Sequence, residues 1–306
     1  MRAVRITRFG GPEVVEMLDI PLPSPGPDEV LVRVAAAGVA PWDAIIRDGK
    51  SKVSPAPPLT LGSDLAGIID QVGDAVTEFH PGDAVYGVTN PQFVGAQAEY
   101  AVCLGSMIAR KPSVLSDLEA ASAPVIAVTA WQMLFEYAKP KRGDTILILG
   151  AAGNVGAYAV RMAVNSGVTV AAVAHRKDEH LLRELGASII ADSGVPDFVR
   201  ELPRVGAILD LVGGETLQRS AASLKQGGKL ISVVSNEPLS NRKDVEPVFF
   251  YAEVTTARLG ALTEMFEHGE IAARVGSVLP LADARRAHEM LAGAPHKRGK
   301  ILLRVR

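Results

Sequence analysis

The run Thr145-Ile-Leu-Ile-Leu149, followed at once by Gly150-Ala-Ala-Gly-Asn-Val-Gly156 and by Ala157 to Ala163, constrains this chain more than any other segment. The β-branched and leucine run predicts a buried strand. The glycines predict a tight turn, and the small residues beyond them a helix lying close to the sheet. Strand, turn and helix in that order aim unpaired backbone N–H groups, at the positive end of a helix dipole, at one point that suits a pyrophosphate. The spacing departs from G-x-G-x-x-G, because Ala151 holds the first position and Gly150 stands one residue early. Gly153 still lets the backbone approach a phosphate, and Gly156 still lets helix and strand pack closely. An ordinary strand–turn–helix of an α/β protein is the alternative.

The flanking sequence favours the nucleotide-binding reading. Val168 to Ala174 is a second strand, followed by a helix carrying Leu181, Leu182 and Leu185 and ending at Gly186. Further apolar runs lie at Ser188 to Ala191, Ala207 to Val212 and Lys229 to Val234. Strands alternating with helices predict an α/β, doubly wound parallel sheet. Where an NAD-selective enzyme places Asp or Glu, the second strand ends in His175-Arg176-Lys177, and Asp178 and Glu179 come only afterwards. A carboxylate repels a 2′-phosphate, whereas a guanidinium pairs with it in bidentate fashion. Arg176 is thus the expected 2′-phosphate contact, with His175 and Lys177 in support, and NADPH the expected cofactor. A solvated basic loop, with Asp178 or Glu179 favouring the next helix's N-terminus, is the alternative.

At 306 residues and 48% hydrophobic, the chain is long enough for two domains. A formal net charge of −2 gives no electrostatic footprint for nucleic acid or an anionic membrane. No apolar run approaches the roughly 20 residues of a membrane span, and the N-terminus shows no signal-peptide core, so a cytoplasmic location is expected. The single cysteine, Cys103, rules out an internal disulfide and a thiolate-rich metal site. The first 120 or so residues hold most of the 20 prolines among short strand-like runs, the pattern of an irregular β-barrel. A helical segment with Leu118, then a helix over Val125 to Tyr137, leads into the nucleotide core. Ala261 to Gly269 reads as helical, and Gly299 to Val305 as a strand that returns to the first domain. The expected domains are residues 1–123, completed by 265–306, around a nucleotide-binding domain at 124–264.

Segments spread over nearly the whole chain carry a family resemblance. They are Phe9-Gly-Gly-Pro-Glu13, Gly38-Val-Ala-Pro-Trp-Asp43, Leu61-Gly-Ser-Asp-Leu-Ala-Gly67, Pro81-Gly-Asp-Ala-Val-Tyr-Gly87, Ala98-Glu-Tyr100, Val128-Thr-Ala-Trp131, Gly150 to Gly156, Asp210-Leu-Val-Gly-Gly-Glu215 and Gly299-Lys-Ile-Leu-Leu303. The chain resembles the zinc-independent quinone oxidoreductase (zeta-crystallin-like) branch of the medium-chain dehydrogenase/reductase superfamily. The resemblance implies a GroES-like β-barrel domain joined to a Rossmann domain, an active site between them, and a homodimer. In the zinc branch a cysteine ligand matches Ala40 and a histidine ligand matches Ser63, so the resemblance implies no metal site here. The six histidines, His80 and His175 among them, are read as surface residues.

The implied activity is NADPH-dependent reduction of a quinone or an α,β-unsaturated carbonyl by hydride transfer, without zinc. Two alternatives stay open: a low-turnover NADPH-binding sensor or structural protein, and a biosynthetic enoyl reductase. The family often has asparagine at Ala40 and tyrosine at Ile45, so no catalytic residue carries over directly. Trp42, Asp43 and Thr129 are the candidates for lining the substrate site, although Trp42 equally suits a core and Asp43 the start of a helix at Pro41. By resemblance, Thr129, Ala152, Gly153, Asn154 and Val155 lie along the pyrophosphate or nicotinamide. Val212 and Gly213 end the fourth strand on the adenosine side, and Val234 and Ser235 end the fifth beside the nicotinamide. Phe249, Phe250 and Tyr251 line the nicotinamide pocket or else form a core or interface strand.

Overall fold

The computed structural model describes residues 1–239, 242, 244–245 and 247–306. They divide into two compact units, Met1–Val125 with Glu253–Arg306, and Ile126–Ala252. The first unit opens with strands β1 (Arg2–Ile6), β2 (Glu16–Asp19), β3 (Glu29–Val39), β4 (Leu59–Thr60), β5 (Asp64–Val72), β6 (Ala84–Val88), β7 (Tyr100–Leu104) and β8 (Ile108–Arg110). Its first helices are α1 (Pro41–Arg47) and α2 (Asp117–Ala121). β1 pairs antiparallel with β2 and β4, while β3 pairs antiparallel with both β5 and β7. β6 and β8 extend that second sheet beyond β5. β3 is the spine because its alternating Val30, Val32 and Val34 enter the core beside Ile69, Val85 and Cys103. The expected β-barrel thus takes the form of two sheets joined by an isolated bridge, Ala3 to Ala98, rather than one closed ladder.

Helix α3 (Pro124–Trp131) leads into the second unit and continues as a π-helical turn over Gln132–Ala138, which ends at Lys139 in the left-handed conformation. The strands that follow are β9 (Thr145–Leu149), β10 (Thr169–Ala174), β11 (Ile189–Asp192), β12 (Val205–Asp210), β13 (Leu224–Ser232) and β14 (Pro247–Phe249). Helices α4 (Asn154–Asn165), α5 (Glu179–Glu184) and α6 (Gly214–Ser220) alternate with them. All neighbouring strands are parallel, in the order β11-β10-β9-β12-β13-β14. Strand order reverses between β9 and β12, and open α/β sheets bind ligands outside the carboxyl ends at such a point. β9 is apolar from Ile146 to Leu149, all buried, because both its faces are covered.

The chain then adds α7 (Thr256–Glu267), β15 (Val275–Pro280), α8 (Ala284–Leu291) and β16 (Lys300–Arg304) to the first unit. β16 inserts between β15 and β3, antiparallel to β3, so the C-terminal segment does return as a strand. The boundary expected at 264/265 falls inside α7, whereas the first unit resumes at Glu253. The reason lies in the bonds of that helix: Thr256 Oγ1 donates to Ile108 O at 2.8 Å, and Tyr86 Oη donates to Leu259 O at 2.8 Å. Among the described residues no helix is long and apolar enough to cross a membrane.

Candidate functional site

The carboxyl end of the parallel sheet brings together most of the residues expected to hold a nucleotide. Gly150 takes φ +73° directly after β9, and Gly153 caps α4 with extended backbone. A Cβ on Gly156 would stand 2.3 Å from Gly150 O, so only glycine lets α4 close over the turn. Ala152 is buried, Gly153 exposed, and Asn154 and Val155 half-buried in the first turn of a 12-residue helix with no acidic side chain there. That cradle fits a dinucleotide pyrophosphate: the Gly153 amide closes the turn on Gly150 O at 3.0 Å, and the first amides of α4, at the positive end of the helix dipole, are left to meet an anion.

The loops beyond β12 and β13 are organised by two residues that the sequence reading did not single out. Asp210, fully buried at the end of β12, accepts through Oδ1 from the amides of Val212 (3.2 Å) and Gly213 (2.8 Å). Its Oδ2 accepts from Ser232 Oγ at 2.8 Å, and that hydroxyl oxygen accepts from the amides of Val234 (3.1 Å) and Ser235 (3.2 Å). One carboxylate and one hydroxyl therefore fix both loops. Val212 and Val234 are left nearly half exposed at the carboxyl end of the sheet, which is unusual for valines following core strands. The Asp210-Leu-Val-Gly-Gly segment was the available signal, but it pointed to the glycines rather than to the carboxylate beneath them.

His175, Arg176 and Lys177 are all exposed after β10, and Asp178 is buried. Asp192, at the end of β11, accepts from the Arg176 amide at 3.2 Å and the Gly194 amide at 2.9 Å. This carboxylate is a further group missed from sequence, since it lies sixteen residues beyond Arg176. Phe249 and Tyr251 meet edge to face with centroids 5.2 Å apart, and Tyr251 is exposed. Phe250 is buried and stacks on Tyr137 at 4.4 Å, a packing role within this unit. Thr129 is buried on α3.

In the first unit, Trp42 and Asp43 sit in the opening turn of α1. Asp43 Oδ2 accepts from the Ala40 amide at 2.8 Å, the helix-start role open to it from sequence. Its Oδ1 is buried with no partner at hydrogen-bond geometry among the described residues, although the Gly62 amide still favours the anion. Burial pushes the carboxyl up to about 7, against the pull of Lys300 and the Ala40 amide and with help from Asp64. Lys300 and Asp64, both 2% exposed, form an ion pair at 2.5 Å, and Asp64 Oδ1 accepts from the Val125 amide at 2.9 Å. Gly38 makes room for this pair, because a Cβ there would press on both side chains. Lys300 Nζ also lies 4.2 Å from the Trp42 ring centroid, and the Trp42 indole N–H donates to Ser63 Oγ at 3.1 Å.

Comparison with known proteins agrees with this arrangement. Residues 26–113 match the alcohol dehydrogenase GroES-like domain family, and residues 185–303 match the zinc-binding dehydrogenase family. Quinone oxidoreductase of Mus musculus is 30% identical over 99% of this chain and 97% of its own length. The quinone oxidoreductase structure from Coxiella burnetii superposes with a TM-score of 0.92 at 30% identity, covering 100% of this chain and 99% of that one. A mycobacterial protein solved in complex with NADPH gives a TM-score of 0.86 at 29% identity over 100% of both chains. With two units of the expected kinds and a relative matched along almost its entire length, the chain belongs to the quinone oxidoreductase branch of the medium-chain dehydrogenase/reductase superfamily.

Proposed function

We propose that this chain is an NADPH-dependent oxidoreductase that reduces quinones or α,β-unsaturated carbonyls without zinc. The observation that carries the reading is the carboxyl end of the parallel sheet, where the Gly150–Gly153 turn stands beside loops held by Asp210 and Ser232. NADPH, when bound, supplies the hydride. The amides of Asn154 and Val155 take the pyrophosphate, with Ala152 and Gly153 closing the turn against it, since the Gly153 amide donates to Gly150 O at 3.0 Å. Arg176 and His175 meet the 2′-phosphate, and Val212 and Gly213 border the adenosine side. Val234, Ser235, Phe249 and Tyr251 border the nicotinamide. The NADPH complex of the mycobacterial relative supports this choice of cofactor.

The zinc-free part of the proposal rests on donor chemistry. Ala40, where the zinc branch has its cysteine, offers no ligand atom, and the Ser63 hydroxyl is engaged by the Trp42 indole. Negative charge that develops on the substrate oxygen must then be met by protein hydrogen-bond donors and fixed charges. A second reading, an NADPH-binding protein of low turnover, is favoured by Ile45, an exposed apolar side chain where family members often carry a tyrosine.

NADPH absorbance followed with 1,4-benzoquinone, 9,10-phenanthrenequinone and 2-cyclohexenone tests the activity; tight NADPH binding with no oxidation by any acceptor favours the second reading. Turnover should survive a strong chelator, and its loss on zinc removal overturns the metal-free part. Arg176→Ala should weaken NADPH binding by about 1 kcal/mol, the scale of a solvent-exposed ion pair, and NADH binding by far less. Equal losses for both cofactors contradict the assignment of that loop.

A further inference from the structure

Phe93 is the one described non-glycine residue besides Lys139 with positive φ, at +59°. A bulky aromatic residue enters the left-handed region only when its surroundings hold it there. The hold is visible. Thr89 Oγ1 and Asn90 Nδ2 both donate to Val94 O, at 2.7 and 2.9 Å, and the Phe93 amide donates to Asn90 O at 3.1 Å. Asn90 Oδ1 accepts from the Gln92 amide at 3.1 Å. The result is a ring turned edge-on to Trp42, with centroids 6.5 Å apart and planes at 60°.

Trp42 is fixed independently of Phe93. Its indole N–H is tied to Ser63, and the ammonium of Lys300, itself held by Asp64, lies over one ring face. Lys300 is buried, so that face is closed, yet both Trp42 and Phe93 keep part of their surface accessible. Two rings at a steep angle, each packed on the apolar core on one side and held by polar anchors on another, make a corner that complements a flat, fused-ring molecule. Aromatic pairs in such geometry gain beyond simple area burial, whereas a small aliphatic ring gains little. The corner also meets Ser63, through the Trp42 indole, at the position where the zinc branch has its histidine ligand.

We infer that Trp42 and Phe93 are specificity-determining residues that select planar aromatic acceptors, such as fused-ring quinones, over small aliphatic enones. The inference rests on the quinone-reductase reading for its kinetic arm and is independent of it for its binding arm. Lys300 is a positioning residue in this scheme, acting through the indole.

The test uses the two tryptophans of the chain: Trp131→Phe leaves Trp42 as the only indole emitter. In that background 9,10-phenanthrenequinone should quench Trp42 emission saturably, and 2-cyclohexenone at equal concentration should not. Adding Phe93→Leu keeps an apolar side chain against the neighbouring core but removes the ring. It should raise the quinone's Kd and KM by about three- to tenfold while the enone KM and the NADPH Kd stay within about twofold. Absence of saturable quenching, or an equal shift for both acceptors, overturns the inference. Saturable quenching weakened by Phe93→Leu, in a protein that oxidises no NADPH, upholds the aromatic corner and rejects the reductase reading instead.

Discussion

Asp43 shows how one residue serves a local and a collective purpose. Its Oδ2 completes the start of α1 through the Ala40 amide, a role readable from Pro41-Trp-Asp43 alone. Its neighbours Lys300 and Asp64 arrive from β16 and β5, and no local pattern announces them. Because burial raises the folded-state carboxyl to about 7 from the ordinary 3.8, the folded protein holds a proton that the unfolded chain has released between those values. Stability contributed by this group is therefore fully present below about pH 4 and falls as pH rises towards 7. His288, expected at the surface with the other histidines, is instead fully buried against Arg47 and works in the opposite sense: burial, with Arg47 beside it, pushes it down to about 3 and its contribution is lost as pH falls below 6.5. A double difference separates them: the free energy of urea unfolding of Asp43→Asn relative to the parent should move upward from pH 4.5 to pH 7.5, with a slope of at most about 1.4 kcal/mol per pH unit. A difference that stays flat across that window means Asp43 is ionised throughout.

At the scale of elements, legibility followed locality. The strand–turn–helix of β9 and α4, the flanking strands and the returning β16 could be placed from runs of ten residues or fewer, because period and turn chemistry are local properties. Asp210 with Ser232, and Arg176 with Asp192, escaped because each pair joins ends of different strands, twenty-two and sixteen residues apart. Phe250 escaped for a related reason: which of three consecutive aromatics turns inward depends on Tyr137, far earlier in the chain. The expected β-barrel was legible as strand content but not as two bridged sheets, because pairing partners are set by tertiary register. The β9–α4 junction supports a clean test. Gly156→Ala places a methyl 2.3 Å from Gly150 O and 2.8 Å from Ala151 Cα, all backbone, so the helix must retreat from the turn. It should lose about 1–3 kcal/mol of stability, measured by thermal denaturation, and weaken NADPH binding in parallel. Gly206→Ala in β12, where the added methyl meets nothing within 4 Å, is the matched control and should leave both unchanged. Equal behaviour of the two variants contradicts the close approach of α4.

For the molecule as a whole, the first unit is made from two stretches of chain interrupted by residues 126–252. The N-terminal stretch lacks two strands of its own sheet, β15 and β16. β16 pairs with β3 from Ile301 opposite Val39 to Arg304 opposite Ala36, and buries Ile301, Leu302 and Leu303 almost completely. α7 adds its bonds to Tyr86 and Ile108, and Lys300 neutralises a carboxylate that is otherwise buried alone at Asp64. Without these pieces, β3 exposes an unpaired edge and Asp64 a buried unpaired charge, either of which is severe for a unit of this size. Residues 126–252, by contrast, contain every strand of their sheet. The interruption itself costs little, since closing a longer loop adds only about 0.6 kcal/mol per doubling of length. The fragments should therefore behave unequally. Residues 126–252 expressed alone should unfold cooperatively in urea, and residues 1–125 alone should show no cooperative transition. Adding residues 253–306 in trans should restore one. A well-dispersed amide spectrum from 1–125 by itself would show that β3 and Asp64 tolerate the loss of the C-terminal strand, and the two-stretch construction would then be a convenience of topology rather than a requirement of the fold.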